Sequence, residues 1–435
     1  MLEFVKDAIC LSGLTGSKLK CDVISEYYPF WWNITSGGPS ADYTYPTAIV
    51  ELDAATGEVY IKDTGETILG SAGHALELKY NNPNTEKLKV VLVEKDDACY
   101  SHLKNVIRRR CSNVKIDIAE GPTALNTSNI YLMNEPLDNA LANIGKLQLG
   151  NALFFFDPLR SVEYTTIEKV ARRRINSFHR TMTELVIFVF TSDWFLGRDD
   201  FAGLPTTADS SRWSQEQIET VSQADSLFGN WDWRSQILNS SPIDEREKIL
   251  IKLYKNGLHT WFRYVLALPF NPKTNQIFHL ILCSNYEAGV KRTRDFYSEK
   301  TGNPKYSPDN RAAFNSFRAH HPDIFVGLSG VQKPLQWLIL WKTITTHEDG
   351  ICDCMCADFK KNEPNDEVRQ RAFEWLESKG YLNRFDIMNA WKSPVKQYRL
   401  NWSTIKEKLG VAPPPLLKPL SSVQIGDANA KIRTS

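Results

Sequence analysis

The stretch Val50-Glu51-Leu52-Asp53-Ala54-Ala55-Thr56-Gly57 closes a short apolar run and then turns through small residues. This pattern is typical of the first strand and loop of a doubly wound α/β sheet, in which ligands bind outside the carboxyl ends of the strands. Ala54 and Gly57 let the backbone approach a ligand closely, and Glu51 can accept a ligand ammonium group. An ordinary loop is the alternative interpretation.

Short apolar runs continue through the first two-thirds of the chain and alternate with helical patterns, which predicts a parallel sheet with helices on both faces. The predicted strands are 48–52, 90–93, 114–118, 152–156 and 185–190, with 262–268 and 277–283 as a last pair. The predicted helices are 98–110, 135–147 and 166–183. Segment 197–240, rich in Asp, Ser and Trp, is interpreted as a partly helical insertion.

Three more acids follow predicted strands. Glu94 ends the second strand, where a carboxylate can accept both ribose hydroxyls of a nucleoside. Glu120 follows the third strand and is a candidate partner of an adenine amino group. Asp157 follows the fourth strand, where an acid near a cofactor can accept a hydrogen bond from a substrate N–H or O–H, or deprotonate it. Surface or turn-forming roles are the alternatives for all three acids.

The remaining third of the chain predicts a second unit. Segment 301–333 is polar and is predicted to be a linker with short helices, so that 1–300 form the sheet domain. Helical patterns over 335–344 and 364–379, followed by a possible hairpin over 384–402, predict a winged helix-turn-helix over 334–410. Segment 411–435 is Pro-rich, then polar, and is predicted to be disordered.

Charge and cysteine content limit the functional classes. Lys and Arg total 52 against 51 for Asp and Glu, a net charge of +1 that argues against a polybasic nucleic-acid binder. The late positive charges, such as Lys396 and Arg399, lie where a wing would meet a DNA or RNA backbone. No apolar stretch approaches the ~18 residues of a membrane helix, and no signal-peptide pattern occurs. We therefore expect a cytoplasmic protein with reduced cysteines and no membrane contact.

A cysteine cluster is the candidate metal site. Cys352, Cys354 and Cys356 alternate in sequence, so an extended segment would turn all three thiols to one side, where they could bind zinc. His347 is the nearest candidate for a fourth ligand, and a buried structural role is the favoured interpretation. The chain has no G-x-x-x-x-G-K-[ST] motif and no G-x-G-x-x-G after the first strand, which counts against a P-loop and a nicotinamide cofactor.

In their order, these pieces resemble the three-Cys-motif partner (TcmP) family of bacterial proteins, across most of residues 17–400. The resemblance rests on the opening helix, the 50–57 turn, a Gly-Ser element, the second and fourth strands and later segments, namely 17–19, 27–32, 50–57, 70–76, 93–94, 154–158, 228–231, 278–281 and 367–382. The sequence departs from the family pattern at Ala55, Thr56, Ala72 and the Leu159-Arg160 pair.

The resemblance implies a Rossmann methyltransferase-like domain that uses S-adenosylmethionine, followed by a winged helix-turn-helix. Glu51 and Gly57 would then hold the methionine end, Glu94 the ribose and Glu120 the adenine, and Asp157 would serve the methyl acceptor. It also implies action on nucleic acid in a modification or defence system, or a partner protein of the three-Cys-motif type. Two alternatives stay open: a catalytically degenerate nucleic-acid-binding or scaffold protein, favoured by Ala55, and an enzyme that modifies a small molecule or peptide.

Overall fold

The structure is a computed structural model that describes residues 2–5, 8–13, 15–37, 45–61, 64–82, 84–110, 118–120, 129–147, 149–157, 162–176, 183–190, 213–229, 233, 236, 243–273, 276–301, 306–330, 332–347, 349–388, 394–415 and 420–421. The strands in these ranges are β1 (Leu2–Val5), β2 (Ala8–Gly13), β3 (Thr47–Leu52), β4 (Glu58–Ile61), β5 (Glu66–Leu69), β6 (Leu88–Val93), β7 (Ile118–Glu120), β8 (Ile130–Met133), β9 (Ala152–Phe156), β10 (Thr183–Phe190), β11 (Tyr264–Lys273), β12 (Gln276–Ser284), β13 (Ile351–Cys352), β14 (Leu382–Met388), β15 (Pro394–Leu400) and β16 (Leu420–Ser421). The helices are α1 (Thr15–Gly37), α2 (Ser71–Asn81), α3 (Asp97–Arg110), α4 (Leu137–Ile144), α5 (Tyr164–Asn176), α6 (Gln215–Phe228), α7 (Ile243–Leu258), α8 (Glu287–Thr301), α9 (Asn310–His320), α10 (Leu335–Thr346), α11 (Ala357–Asn362), α12 (Asp366–Ser378) and α13 (Trp402–Leu409).

The chain divides into two compact units. Residues 1–257, 267–285 and 419–435 form the first unit, and residues 258–266 and 286–418 form the second. The predicted boundary at residue 300 therefore differs from the observed division, because α8 belongs to the second unit. Within the described ranges, no helix combines the length and apolar character that crossing a bilayer requires.

A large, mostly parallel sheet lies at the centre of the first unit. Its strand order is β16-β11-β12-β10-β9-β3-β6-β8-β7, and β12 runs antiparallel to β10. The five strands β3, β6, β8, β9 and β10 are parallel to their neighbours in this set and are buried over most of their length. After β3 the chain forms β6, β7 and β8, which lie on one side of β3 within the sheet, and then crosses to β9 on the other side of β3. This reversal is a topological switch point, where ligands of open α/β sheets bind.

Most predicted strands of this sheet are confirmed, and 152–156 agrees to the residue with β9. The predicted strand 114–118 differs: β7 begins at Ile118, and residues 111–117 lie outside the described part of the chain. β8 was missed, although its apolar run is as long as the predicted strand 90–93. A separate four-stranded sheet, β1-β2-β4-β5, was also missed, because its strands are short and β5 is partly exposed.

The second unit has its own apolar core. Helices α9, α10, α12 and α13 contribute buried side chains to it, including Phe317, Trp337 and Phe373. The elements follow the order α10, β13, α11, α12, β14, β15, and the strands form an antiparallel sheet in the order β13-β15-β14. The predicted helix 364–379 is observed as α12, whose first turn is capped by the Asn365 side chain. The predicted hairpin ends at Leu400, and Trp402 begins another helix.

The predicted linker and tail are more ordered than expected. Within 301–333, α9 buries Ala313 and Phe317 in the core of the second unit, because its apolar side chains repeat at helical spacing. In the tail, Val411 is buried in the same core, and β16 pairs with β11 in the first unit. Residues 422–435 lie outside the described part of the chain.

Candidate active site at the switch point

Three strands at the switch point end at the same level. The last residue of β3, Leu52, lies opposite the last residues of β6 and β9. The next residues along the chain are Asp53, Glu94 and Asp157. Because neighbouring strands lie about 4.8 Å apart, the three acids leave the sheet side by side. Asp53 was missed as a site residue, although it holds the same position after its strand as the two predicted acids.

In the loop after β3, every second residue from Asp53 to Gly57 has a left-handed backbone conformation. Asp53, Ala55 and Gly57 have φ angles of +68°, +50° and +73°, in the left-handed region, and only the last of them is glycine. A left-handed conformation costs an L-residue about 1–2 kcal/mol. Asp53 and Ala55 therefore adopt, at a cost in free energy, a backbone conformation that glycine would adopt freely.

Glu94 braces this loop from the neighbouring strand. Its Oε2 accepts the backbone N–H of Ala55 at 2.7 Å, and its Oε1 accepts the backbone N–H of Asp96 at 2.8 Å. Burial raises the pKa of Glu94, and these backbone hydrogen bonds oppose the rise. Each oxygen accepts one bond and keeps further acceptor capacity.

Glu51, on β3, is fully buried just below the loop. The Tyr28 hydroxyl of α1 donates a hydrogen bond to Oε1, whereas Oε2 is buried without a hydrogen-bond partner. Burial raises the pKa of Glu51 to about 8, although the Tyr28 and Ser71 hydroxyls lower it. Glu51 is therefore mostly protonated at pH 7, and a cation near Oε2 would favour its charged form.

Asp157 is paired with a lysine from the same helix α1. Lys20 Nζ donates to Asp157 Oδ2, and both side chains are largely buried. The ammonium also lies 4.9 Å from the centre of the Phe188 ring. Burial raises the pKa of Asp53 as well; Lys95 opposes this rise, and Asp157 adds to it. Neither Tyr28 nor Lys20 was singled out as a site residue, because α1 reaches this edge only through tertiary packing.

The small residues of the loop have packing roles. A Cβ on Gly57 would lie 2.7 Å from Leu103 Cδ1 of α3, and a Cβ on Gly73 would lie 2.4 Å from the Gly57 carbonyl oxygen. Gly73 is thus required by the close approach of α2 to the loop, whereas Gly57 is favoured by its left-handed φ and by its contact with Leu103 of α3. Ala54 is buried, and its N–H donates to the Val93 carbonyl at 2.8 Å.

Glu120, the predicted adenine partner, lies further away than expected. It ends β7, the outermost strand, and β8 lies between β7 and β6. Its side chain is outside the described residues. The residue that follows β8 is Asn134, whose side-chain amide donates to Asp97 Oδ1 at 2.6 Å. Asn134 is therefore nearer to Glu94 along the sheet edge than Glu120 is.

The cysteine cluster is not arranged as predicted. Cys352 is buried in β13, where its sulfur accepts a hydrogen bond from the Thr343 hydroxyl at 3.4 Å. β13 has two residues and a turn follows it, so the alternation that would align three thiols ends there. Cys354 is half-buried in the turn, and Cys356 is the N-cap residue of α11.

Cys356 instead meets His347 and Asp358. Among the described residues, these three form the group of possible metal ligands whose donor atoms all lie within 4.8 Å of one another. Burial lowers the pKa of His347 to about 4, and burial raises the pKa of the Cys356 thiol. The imidazole is therefore neutral at pH 7 and has a lone pair available.

Comparisons with known proteins find only distant structural likenesses. No protein-family model and no curated protein sequence matches the chain. A Legionella pneumophila protein of the family model DUF519 is 10% identical, with a TM-score of 0.36, over 66% of this chain and 92% of that one. A putative O-methyltransferase from Klebsiella pneumoniae is 10% identical, with a TM-score of 0.30, over 60% and 78%. The SAH-bound N-terminal domain of EvdMO1 is 11% identical, with a TM-score of 0.29, over 60% and 80%.

Proposed function

We propose that the first unit is a methyltransferase-like domain that binds S-adenosylmethionine at the switch point. The observation that carries the proposal is the buried Oε2 of Glu51, which has no hydrogen-bond partner. It lies beside the carboxyl edge of the sheet, where an acid follows each of three neighbouring strands. A buried carboxylate oxygen without a partner is costly. A ligand that carries an ammonium group would supply the missing donor.

Residues at the same edge of the sheet can also bind the ribose and the adenine of the cofactor. The spare acceptor capacity of Glu94 suits two ribose hydroxyls, and exposed Asn134 is nearer than Glu120 for contact with adenine. S-adenosylmethionine supplies an electrophilic methyl group on a sulfonium. The protein's part is to align the acceptor and, where needed, to take a proton, and Asp157 is the residue proposed for both.

The pairing of Lys20 with Asp157 affects how Asp157 can act on the methyl acceptor. Because the Lys20 ammonium already donates a hydrogen bond to Asp157 Oδ2, we expect Asp157 to position the acceptor by accepting a hydrogen bond from it. If Asp157 positions the acceptor, Asp157→Asn retains much of the methyl-transfer activity. If it deprotonates the acceptor, turnover falls by about 10²–10⁴ while cofactor affinity is unchanged.

Isothermal titration of the full chain with S-adenosylmethionine tests the binding site. We expect Glu51→Gln and Glu94→Gln to weaken binding by about tenfold or more, the loss of one charged hydrogen bond. Glu184→Gln is the matched control: Glu184 is also fully buried and bonded by a tyrosine, Tyr27, but lies at the amino end of β10. No binding by a folded wild-type chain would overturn the proposal.

A catalytically degenerate scaffold is the second candidate function. It is favoured by Asp53 and Ala55, whose side chains occupy left-handed positions suited to glycine. The bonds of Glu94 and Asp157 favour it too, because both acids already accept hydrogen bonds from the protein itself. The titration separates the two candidates, since a scaffold folds normally without binding the cofactor.

For the second unit we propose a winged helix-turn-helix, as in the TcmP family, on the order of its helices and hairpin. α12, at the place of a recognition helix, exposes Asp366, Glu367 and Glu374 against one exposed arginine, Arg371. Phosphate contacts supply much of the affinity for nucleic acid, so this acidic face favours a protein partner over DNA or RNA.

Charge reversal distinguishes these partners. Lys396, on β15, is held by Glu374 at 3.1 Å. If the unit binds DNA or RNA, Lys396→Glu and Arg399→Glu weaken binding and flatten its dependence on salt. If the binding of DNA or RNA is unchanged and insensitive to salt in both variants, the result would support a protein-contact role for this surface.

A further inference from the structure

A second site lies in the second unit, at the junction between α10 and α11. His347 is the C-cap residue of α10, Cys356 is the N-cap residue of α11, and Asp358 is in the first turn of α11. One imidazole nitrogen, the thiol sulfur and a carboxylate oxygen all lie within 4.8 Å of one another. These donors come from a short stretch of chain, residues 347–358, that includes β13.

The histidine has donor atoms that the protein leaves unused. His347 is 4% exposed, and both of its ring nitrogens are buried without a hydrogen-bond partner. A buried polar atom without a partner costs about 1–3 kcal/mol. Such an atom in a native protein points to a bound water or ion.

Neighbouring groups orient two of the three donors. The Tyr264 hydroxyl donates to Asp358 Oδ2 at 2.7 Å, which leaves Oδ1 available. The Tyr264 ring stacks on the His347 ring, with centroids 5.0 Å apart and planes at 29°. Metal-binding carboxylates commonly have such a hydrogen-bonded outer partner, which fixes the orientation of the ligand, and the stacked Tyr264 ring restricts the position of the His347 ring.

We propose that His347, Cys356 and Asp358 bind one zinc ion in the second unit. A thiolate and an imidazole together favour zinc over magnesium or calcium, which prefer oxygen ligands. Zinc bond lengths place tetrahedral ligand atoms about 3.5 Å apart, so separations of up to 4.8 Å close by small side-chain movements.

The fourth position opens on a small cavity beside the histidine. The cavity is lined by His259, Asp349 and Val290, together with Tyr264 and His347. His259 Nε2 is engaged with Asp349 Oδ2 at 2.9 Å, so a water molecule completes the coordination. Three protein ligands and a water are the arrangement of zinc sites that keep an open position.

The full-length chain tests the site directly. After equilibration with zinc and removal of free metal, elemental analysis should find about one zinc ion per chain. Replacement by cobalt(II) should give the visible bands of a tetrahedral ion and a near-ultraviolet thiolate-to-cobalt band. Wild-type protein without bound zinc, or with only the weak bands of an octahedral cobalt ion, would overturn the proposal.

Cysteine variants identify the ligand. Cys356→Ser should lose the thiolate-to-cobalt band and weaken zinc binding by about tenfold or more. Cys354→Ser is the matched control, because Cys354 is near in sequence and outside the ligand group, and it should keep both properties. Equal losses in the two variants would refute the ligand assignment. If Cys356→Ser does not fold, the wild-type cobalt spectrum decides the outcome.

Discussion

Replacement of Glu51 by glutamine should remove much of the pH dependence of the first unit's stability. Burial raises the pKa of Glu51 from 4.5 to about 8. A carboxyl whose pKa is higher in the folded state keeps its proton there after the unfolded chain has lost it. Its contribution to stability is therefore complete below pH 4.5 and is lost as the pH rises toward 8.

The magnitude follows from the number of protons bound. Between pH 5 and pH 7 the folded protein holds nearly one more proton at this site than the unfolded chain. The free energy of unfolding therefore falls by about 2.5 kcal/mol over this interval. For a cooperative unit of this size, that corresponds to roughly 4 °C in Tm.

Urea unfolding of the full chain at pH 5, 6, 7 and 8 measures this effect. Glu51→Gln should lack the fall that wild type shows, while the hydrogen bond from Tyr28 is retained by the amide oxygen. Tyr28→Phe removes a donor that lowers the pKa of Glu51, so it should extend the fall to higher pH. Parallel pH profiles for wild type and Glu51→Gln would refute the reasoning.

Four further substitutions test the loop and the two units by chemical denaturation. Ala55→Gly should stabilise by up to about 1 kcal/mol, because the φ of +50° favours glycine, whereas Ala54→Gly, next to it, should destabilise. Glu58→Gln should destabilise by about 1–2 kcal/mol at pH 7 and by less at pH 3. Burial alone would raise the pKa of Glu58, but hydrogen bonds from two arginines lower it. The stability that the carboxylate contributes is therefore lost as the pH falls through this lowered pKa. Arg369→Ala should destabilise the second unit by roughly 3–5 kcal/mol, because two backbone carbonyls lose the donors of the fully buried guanidinium and a cavity is left in its place.

The central sheet could be predicted because its strands are buried on both faces and therefore form continuous apolar runs. Once β6 and β9 are recognised, the positions of Glu94 and Asp157 follow, since parallel strands share a carboxyl edge. The same logic extends to Asp53 and Asn134, which were missed. Asp53 looks like a turn residue in sequence, and Asn134 follows β8, which was not recognised as a strand.

The remaining features depend on tertiary structure. No sequence pattern shows that Tyr28 of α1 contacts Glu51, which is 23 residues away along the chain. The same holds for Lys20 and Asp157, which are 137 residues apart. The cysteine spacing suggested an extended segment, but a turn after β13 separates the thiols. Cys356 meets Asp358 because both belong to the start of α11, which local spacing alone does not reveal.

The raised pKa values at the switch point also predict a proton coupled to ligand binding. Burial raises the pKa values of Glu51, Asp53 and Glu94, and Lys20 is paired with Asp157. A ligand ammonium near Glu51 Oε2 requires the carboxylate form, so binding at pH 7 must release the Glu51 proton. Below a pKa of about 8, the affinity for S-adenosylmethionine should rise by about tenfold per pH unit.

Above pH 8 the ligand's own α-amino group loses its charge, so the affinity should be greatest near pH 8. Titrations at pH 7 in buffers with different ionisation enthalpies should show the release of close to one proton per bound ligand. Glu51→Gln should abolish both the proton release and the pH dependence below 8. Binding that is independent of pH between 6 and 8, with the same heat in every buffer, would mean that the ligand ammonium does not meet Glu51.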